Sequence, residues 1–515
     1  MASEPVTAVE AWRLRRNWKV NLLVLLAAIV LVGFLAALVV GICVLRRISD
    51  NSTPHYADIV EHFKYGSIGA EPSSGIPYGI WKVLPVLYPD EFEGRDDFSA
   101  FGFLYETDAD GRRRDLPIGI SQRKVRGVDV VWLNCATCHT GTWRANAGDP
   151  PEIVAAMPSN NLDFGRFVRM VFRLSTDPRL APDRLFPIME EQGIELDGLD
   201  RLIWRIGVLP IFREGLLQTR ASLLPLMDMQ PPWGPGRVDT FNPYKLLQFG
   251  VEASALTEEE RIGVADLPAV FDQHPREGMN LHWDGNNASL SERNLSAAIG
   301  AGVTVETVDH EAIERVADWL GDLKPPASPH RPDPAAVARG KATYMTGCAS
   351  CHGYQGDGAY VFEGQSIGEV EPIANLATDR ARLDSYTEAF RAQQLEKLFA
   401  GTPYQFRNFK KTDGYANLPL DGLWLRGPYL HNGSVPTLAA LLQAPEERPK
   451  AFLRGLDVVD PAGGFVAPEC DPAAPPARGY CYDTSLPGNG SGGHTYGVDL
   501  ADAEKADLLA YLLTF

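Results

Sequence analysis

Residues 22–45, LLVLLAAIVLVGFLAALVVGICVL, form an apolar run with no charged position. A helix of that length spans a bilayer with some tilt. Downstream, the pattern turns amphipathic. Residues 308–323, VDHEAIERVADWLGDL, and the last fifteen, ADAEKADLLAYLLTF, place apolar side chains at helical spacing. Between the two lies KPPASPHRPDPAA (324–336), whose five prolines mark a linker. AAVARGKATYMTG (335–347) then reads as another helix. The predicted architecture is mainly α. A cytoplasmic N-terminus (1–21) and a transmembrane anchor (22–45) precede a first domain (52–324) with large loop-rich insertions, a Pro-rich linker (325–334) and a second domain (335–515).

Charge sets the orientation. Arg13, Arg15, Arg16 and Lys19 precede the apolar run, and Arg46 and Arg47 follow it. The excess on the N-terminal side puts the N-terminus in the cytoplasm and everything after about residue 48 outside. A cleaved signal peptide would have a shorter apolar core and small residues at a cleavage site. The expected location is the bacterial inner membrane, single-pass, with the remaining chain in the periplasm. A net charge of −18 implies no basic surface and excludes a nucleic-acid partner.

Seven cysteines are present. Cys43 lies in the apolar run. Cys135-Ala-Thr-Cys138-His139 and Cys348-Ala-Ser-Cys351-His352 repeat one C-x-x-C-H pattern. Two thiols at that spacing suit thioether bonds to the two vinyl groups of a haem, with the adjacent histidine on the iron. A zinc site needs four ligands, and no second Cys or His pair sits near either motif. Two covalently bound haem c groups are therefore expected. Cys470 and Cys481 remain as a pair, for which a disulfide is the default in an oxidising compartment.

An internal repeat accompanies the two motifs. LHWDGNNASL (281–290) aligns with LHNGSVPTL (430–438), setting Trp283 against His431, Asp284 against Asn432 and Gly285 against Gly433. Upstream, Asp266-Leu267-Pro268 echoes Asn417-Leu418-Pro419. The two parts read as one duplicated haem unit.

With these motifs the chain resembles the bacterial dihaem cytochrome c peroxidase superfamily. That group carries a W-D-G turn, here Trp283-Asp284-Gly285, and a PYxH-[DN]-G turn, here Pro428 to Gly433. The closer likeness is to its rubber-oxygenase branch, through LNCATCHTGT (133–142), WGPGRVDTFNP (233–243), HWDGNN (282–287) and GGHTYGVDL (492–500). The resemblance implies two c-type haems and redox chemistry. A calcium ion between the domains occurs in the peroxidase relatives, and no ligand set for one stands out here.

Reactivity depends on the second axial ligand, because iron bound on both faces moves electrons and iron with an open face binds O2 or peroxide. All eight methionines lie upstream of Cys348, so the second haem must take another ligand. His494, in a Gly-rich loop before the last helix, is the first candidate, and the rubber oxygenases also use a histidine from this loop. His431 and Tyr429 remain alternatives. Aligning Leu320 with Leu512 places Gly302 opposite His494, and glycine cannot ligate. The first haem is therefore expected to have an open or weakly occupied distal face, with Trp233, Phe241 and Phe249 as candidate pocket walls.

These residues predict an oxidoreductase that activates O2 or H2O2 at the N-terminal haem on an unknown organic substrate, with the C-terminal haem as electron relay or store. The alternatives are a dihaem electron-transfer cytochrome serving a redox partner protein, and a cytochrome c peroxidase.

Overall fold

In the computed structural model the described residues are 7–108, 110–474 and 479–515. The first six residues of the expected cytoplasmic segment lie outside them.

The chain forms two compact units. The first comprises the N-terminal stretch to Ser52 together with Lys124–Asp129. Its helix runs from Ala8 to Ile48, beyond both ends of the charge-free run. The stretch Arg15–Ile48 has mean hydropathy 3.2, and its apolar side chains face outward. By length and composition it can cross a membrane, which fits an anchor or a signal sequence. Backbone bonds Gly127 N–H to Asp50 O (2.7 Å) and Lys124 N–H to Ser52 O (2.8 Å) complete the unit.

The second unit holds 53–123 and 130–515, so the expected halves, 52–324 and 335–515, share one compact body. Helix is its commonest regular structure, but "mainly α" describes it only loosely. Among the described residues, short strands pair into one three-stranded and five two-stranded sheets. The reason is that the long connecting tracts satisfy their backbone groups by pairing locally. Thr140–Trp143 with Glu152–Ala155 and Ala451–Arg454 with Tyr480–Asp483 are examples.

Each half is closed by a pair of helices. In the first, Ile59–Tyr65 packs against His310–Asp322. Asp58 and Asp309 cap them, their carboxylates accepting from the Glu61 and Ala312 N–H groups. In the second, Pro334–Gly347, capped by Asp333, packs against Asp502–Leu512. The approach is close at Gly340, where a Cβ would fall 1.8 Å from the Asp507 carbonyl oxygen. Leu508, Tyr511 and Leu512 bury themselves there with Tyr344 and Phe515.

Candidate functional site: two C-x-x-C-H motifs

The first motif is entered from a strand. Val128–Leu133 ends at Asn134, whose side chain accepts from the Ala136 N–H and donates to the Gly66 carbonyl, 2.9 Å. This caps the single turn Cys135–Cys138. The second motif is entered from a helix, Pro334–Gly347, which continues into the turn Ala349–His352.

Both motif histidines are held in the same way. His139 Nδ1 lies 2.9 Å from the Pro268 carbonyl oxygen, and His352 Nδ1 lies 2.8 Å from that of Leu418. A carbonyl only accepts, so Nδ1 carries the proton and Nε2 keeps its lone pair. That is the tautomer a metal-binding imidazole needs, oriented by its outer hydrogen bond. Burial pushes His139 down to about 4 and lowers His352 as well, keeping both rings neutral. The echo of Asp266-Leu267-Pro268 in Asn417-Leu418-Pro419 thus has a physical role that sequence reasoning left unassigned.

None of the four motif cysteines is taken up in a disulfide, and burial disfavours the thiolate at Cys135 and Cys348, raising both to about 11. Among the described residues no three His, Cys, Asp or Glu side chains converge as a metal-ion site. The motifs are therefore not gathered as for zinc, whereas cysteines beside a histidine with a free Nε2 fit haem attachment.

His494 comes to the second motif. Its ring centroid is 6.3 Å from that of His352, at an interplanar angle of 45°. With a metal–imidazole bond of about 2.0 Å on each side, two rings sharing one metal stand roughly that far apart. His494 has a positive φ of 45°, and its N–H donates to the Leu376 carbonyl at 2.8 Å. Burial, with His352 nearby, brings its ring down to about 4.

The loop that carries His494 is clamped by residues the sequence did not single out. Arg448, 1 % exposed, donates to the carbonyl oxygens of Ser491 (2.5 Å), Gly493 (2.8 Å) and His494 (3.3 Å). Asn432 Nδ2 donates to Gly488 and Gly490. Cys470 and Cys481 are disulfide-bonded with Cα atoms 5.9 Å apart. The bridge closes the 470–481 stretch, upstream of the clamped loop.

The other candidates near this motif are engaged elsewhere. His431 stacks on Tyr415, with centroids 4.1 Å apart and Nε2 2.9 Å from the Tyr415 hydroxyl. Tyr429 lies in the core against Leu423 and Val435.

On the first motif's side, Phe241 and Phe249 lie in an aromatic cluster with Tyr244 and Phe390, against which Cys135 and Trp132 pack. Trp233 is not in that cluster. It stacks on Phe164, and its Nε1 donates to Gln230 at 2.8 Å. Gly302, at φ 103°, receives the Trp132 indole through its neighbour Ala301 and the Ser73 hydroxyl at its own carbonyl. Two residues were missed in the sequence, the Arg293 cation beside the motif and the neutral His282, which feels Arg293 electrostatically. Arg293, half-buried and lowered to about 10 chiefly by desolvation, acts electrostatically on both Cys135 and His139. His282, lowered to about 4 by burial, has Nδ1 2.6 Å from Asn286 Oδ1. A cavity of about 240 Å³ opens between the helices Leu290–Gly300 and His310–Asp322, with Arg293, Leu295 and Leu320 in its wall.

The duplication shows in the backbone. Leu281 bridges to Asn287 and Tyr429 to Val435, with the same spacing. His282 and Leu430 share a left-handed φ (64° and 69°), as do Gly285 and Gly433 (63° and 65°).

Comparison with known proteins gives partial matches to three family models. A cytochrome c family model matches residues 337–417, and a model described as RoxA-like, cytochrome c-like, matches 414–453. These two matches, which together span 337–453, support a c-type cytochrome related to the RoxA-like group. Covalently bound haem c follows from that, and the second motif lies inside the matched span. A Y4iN-like domain matches 61–139 and ends on His139. Two proteins of Sinorhizobium fredii are similar along the chain. The uncharacterized protein y4iM is 33% identical over 239 residues, 43% of this chain and 52% of that protein. The uncharacterized protein y4iJ is 26% identical over 528 residues, 82% of this chain and 85% of that protein. The chain thus matches about half the length of y4iM.

Proposed function

We propose that this is a membrane-anchored periplasmic oxidoreductase with two haem c groups of unequal role. The group at Cys135, Cys138 and His139 faces O2 or H2O2 and an organic substrate. The group at Cys348, Cys351 and His352, closed by His494, relays or stores an electron. The single observation that carries this reading is the 6.3 Å ring separation of His352 and His494, set against Gly302 at the equivalent point of the first half. When bound, haem iron with one free face supplies oxygen or peroxide activation, and iron with two histidines supplies electron transfer.

The chain's own part is positional. The Pro268 and Leu418 carbonyls orient the proximal rings. Arg448 and Asn432 hold the loop that delivers His494. Phe241 and Phe249 supply an apolar wall beside Cys135, and Arg293 supplies a fixed positive charge. Trp233, stacked on Phe164, is a packing residue in this reading rather than part of that wall.

Carbon monoxide titration of the reduced protein tests the assignment. Binding at about one site per two haems is expected, since only iron with a free face takes the ligand readily. No binding at all would make the protein an electron carrier without substrate chemistry.

A further inference from the structure

The segment 198–229 is one continuous helical run: an α-helix Gly198–Ile203, a π turn Trp204–Val208 and an α-helix Leu209–Met229. Its inward face is ordinary, with Trp204, Leu209, Leu216 and Leu223 buried. Its outward face is not. Leu202, Ile206, Ile211 and Leu217 are 49, 69, 68 and 38 % exposed. A π turn takes up about one residue more than an α turn. Without it Ile211 would sit across the helix from Leu202, and with it all four fall on one stripe. A helix apolar on both faces is normally covered on both, and contiguous exposed apolar surface marks a membrane or protein contact.

The flank decides between these. Arg201, Arg205, Arg213 and Arg220 recur along one border of the stripe, with only Glu214 as an acidic residue between them. In a chain of net charge −18 this is a local reversal. Their guanidiniums turn back towards the body: Arg205 to Asp183 at 2.8 Å, Arg213 to the Asp177 carbonyl at 2.7 Å. Apolar side chains bordered by arginines are the pattern of a helix lying in the headgroup region of a bilayer. Anchoring by the helix Ala8–Ile48 would keep the protein at high local concentration near lipid.

We propose that the 198–229 helix is a second, monotopic membrane contact, with the Leu202–Ile206–Ile211–Leu217 stripe immersed in the acyl boundary of an anionic lipid surface. The contact is independent of haem and of the redox assignment.

The test uses the full haem-loaded chain in vesicles of phosphatidylethanolamine and phosphatidylglycerol, with Cys43 first replaced by serine. A nitroxide is attached at Ile206→Cys or Ile211→Cys, with Val30→Cys as a reference in the long apolar helix and Glu396→Cys as an exposed reference. Labels at 206 and 211 should be more accessible to lipid-soluble oxygen than to a water-soluble nickel chelate, the reverse of 396. A water-like response at 206 and 211 overturns the proposal, whatever Val30 reports, so failure of the anchor is read separately at Val30. In the double variant Ile206→Asp, Ile211→Asp a label at Leu202→Cys should revert to water, and an unchanged lipid-like response would count against the stripe. A detergent-solubilised dimer that this double variant splits into monomers would instead assign the stripe to a second copy and also overturn it.

Discussion

The turns at 281–287 and 429–435 follow nearly the same backbone, yet their side chains hold different things. At the second position of the repeat, Asp284 accepts from Arg382 in a buried ion pair, 3.0 Å. Its counterpart Asn432 donates to the Gly488 and Gly490 carbonyls. A carboxylate only accepts, whereas an amide also donates. One atom's difference therefore lets the second turn hold a loop of carbonyls and the first hold a cation. The loop held by Asn432 carries His494, whereas the Ala301 and Gly302 carbonyls are held from outside the repeated turn, by Trp132 and Ser73. Duplication preserved the frame, and polar substitution within it separated the two sites.

The sharpest way to break this comparison is to remove His494. His494→Ala should open the second iron and raise carbon monoxide stoichiometry from about one towards about two, as expected when an axial ligand is lost. A second haem that stays low-spin in this variant would move the ligand to His431 or Tyr429. The converse change, His139→Ala, should abolish carbon monoxide binding while the spectrum of the His352–His494 site persists.

Next comes the clamp. Arg448→Ala leaves the Ser491, Gly493 and His494 carbonyls without their buried donor, at a cost of about 3 kcal/mol for the loss of charged hydrogen bonds. Thermal unfolding should show that loss together with a weakened low-spin signal. Arg448→Lys, which cannot reach several carbonyls at once, should rescue only part of it.

A pH series tests the first half. His282 is lowered to about 4 by burial, so the folded protein binds fewer protons there than the unfolded chain. Its contribution is fully present above about pH 6.5 and is lost as pH falls towards about 4, by up to about 3 kcal/mol. Denaturant titrations across that window should show the decline, and His282→Asn, which tolerates the left-handed backbone, should flatten it.

The smallest expected effect is the reverse graft. Gly302→His should not create a mirror of His494. A Cβ there would meet Ser74 Oγ at 2.4 Å and Trp132 Nε1 at 3.0 Å, at φ 103°. The strain costs about 2 kcal/mol, and the spectrum of the first haem should stay unchanged while the melting temperature falls.

Much of this was legible in the residues alone. Covalent attachment spacing, the charge-free run and the amphipathic helices that close each half are local patterns, set by neighbours a few positions apart. The gap-free echo of 281–290 in 430–438 was equally legible, because a duplicated turn keeps its glycine wherever a left-handed φ is required. His494 was nominated by elimination among downstream ligands. Other features had no local signal. Phe241 joined the aromatic cluster beside Cys135 and Trp233 stacked on Phe164 instead, although both sit in the same 233–243 stretch, because a short strand and turn between them point their side chains into different cores.

Sequence by itself determined which atoms can bond to haem, where the chain can enter a bilayer, and that its halves are related. Tertiary structure alone decided which carbonyl orients each proximal ring, that Arg448 is engaged by a loop 43 to 46 residues away, and that Arg293 comes to lie by the first motif. The physical reason is that attachment chemistry depends on covalent spacing, which the chain carries with it. The hydrogen bonds and fields that tune it depend on distances that exist only once segments remote in sequence have packed together.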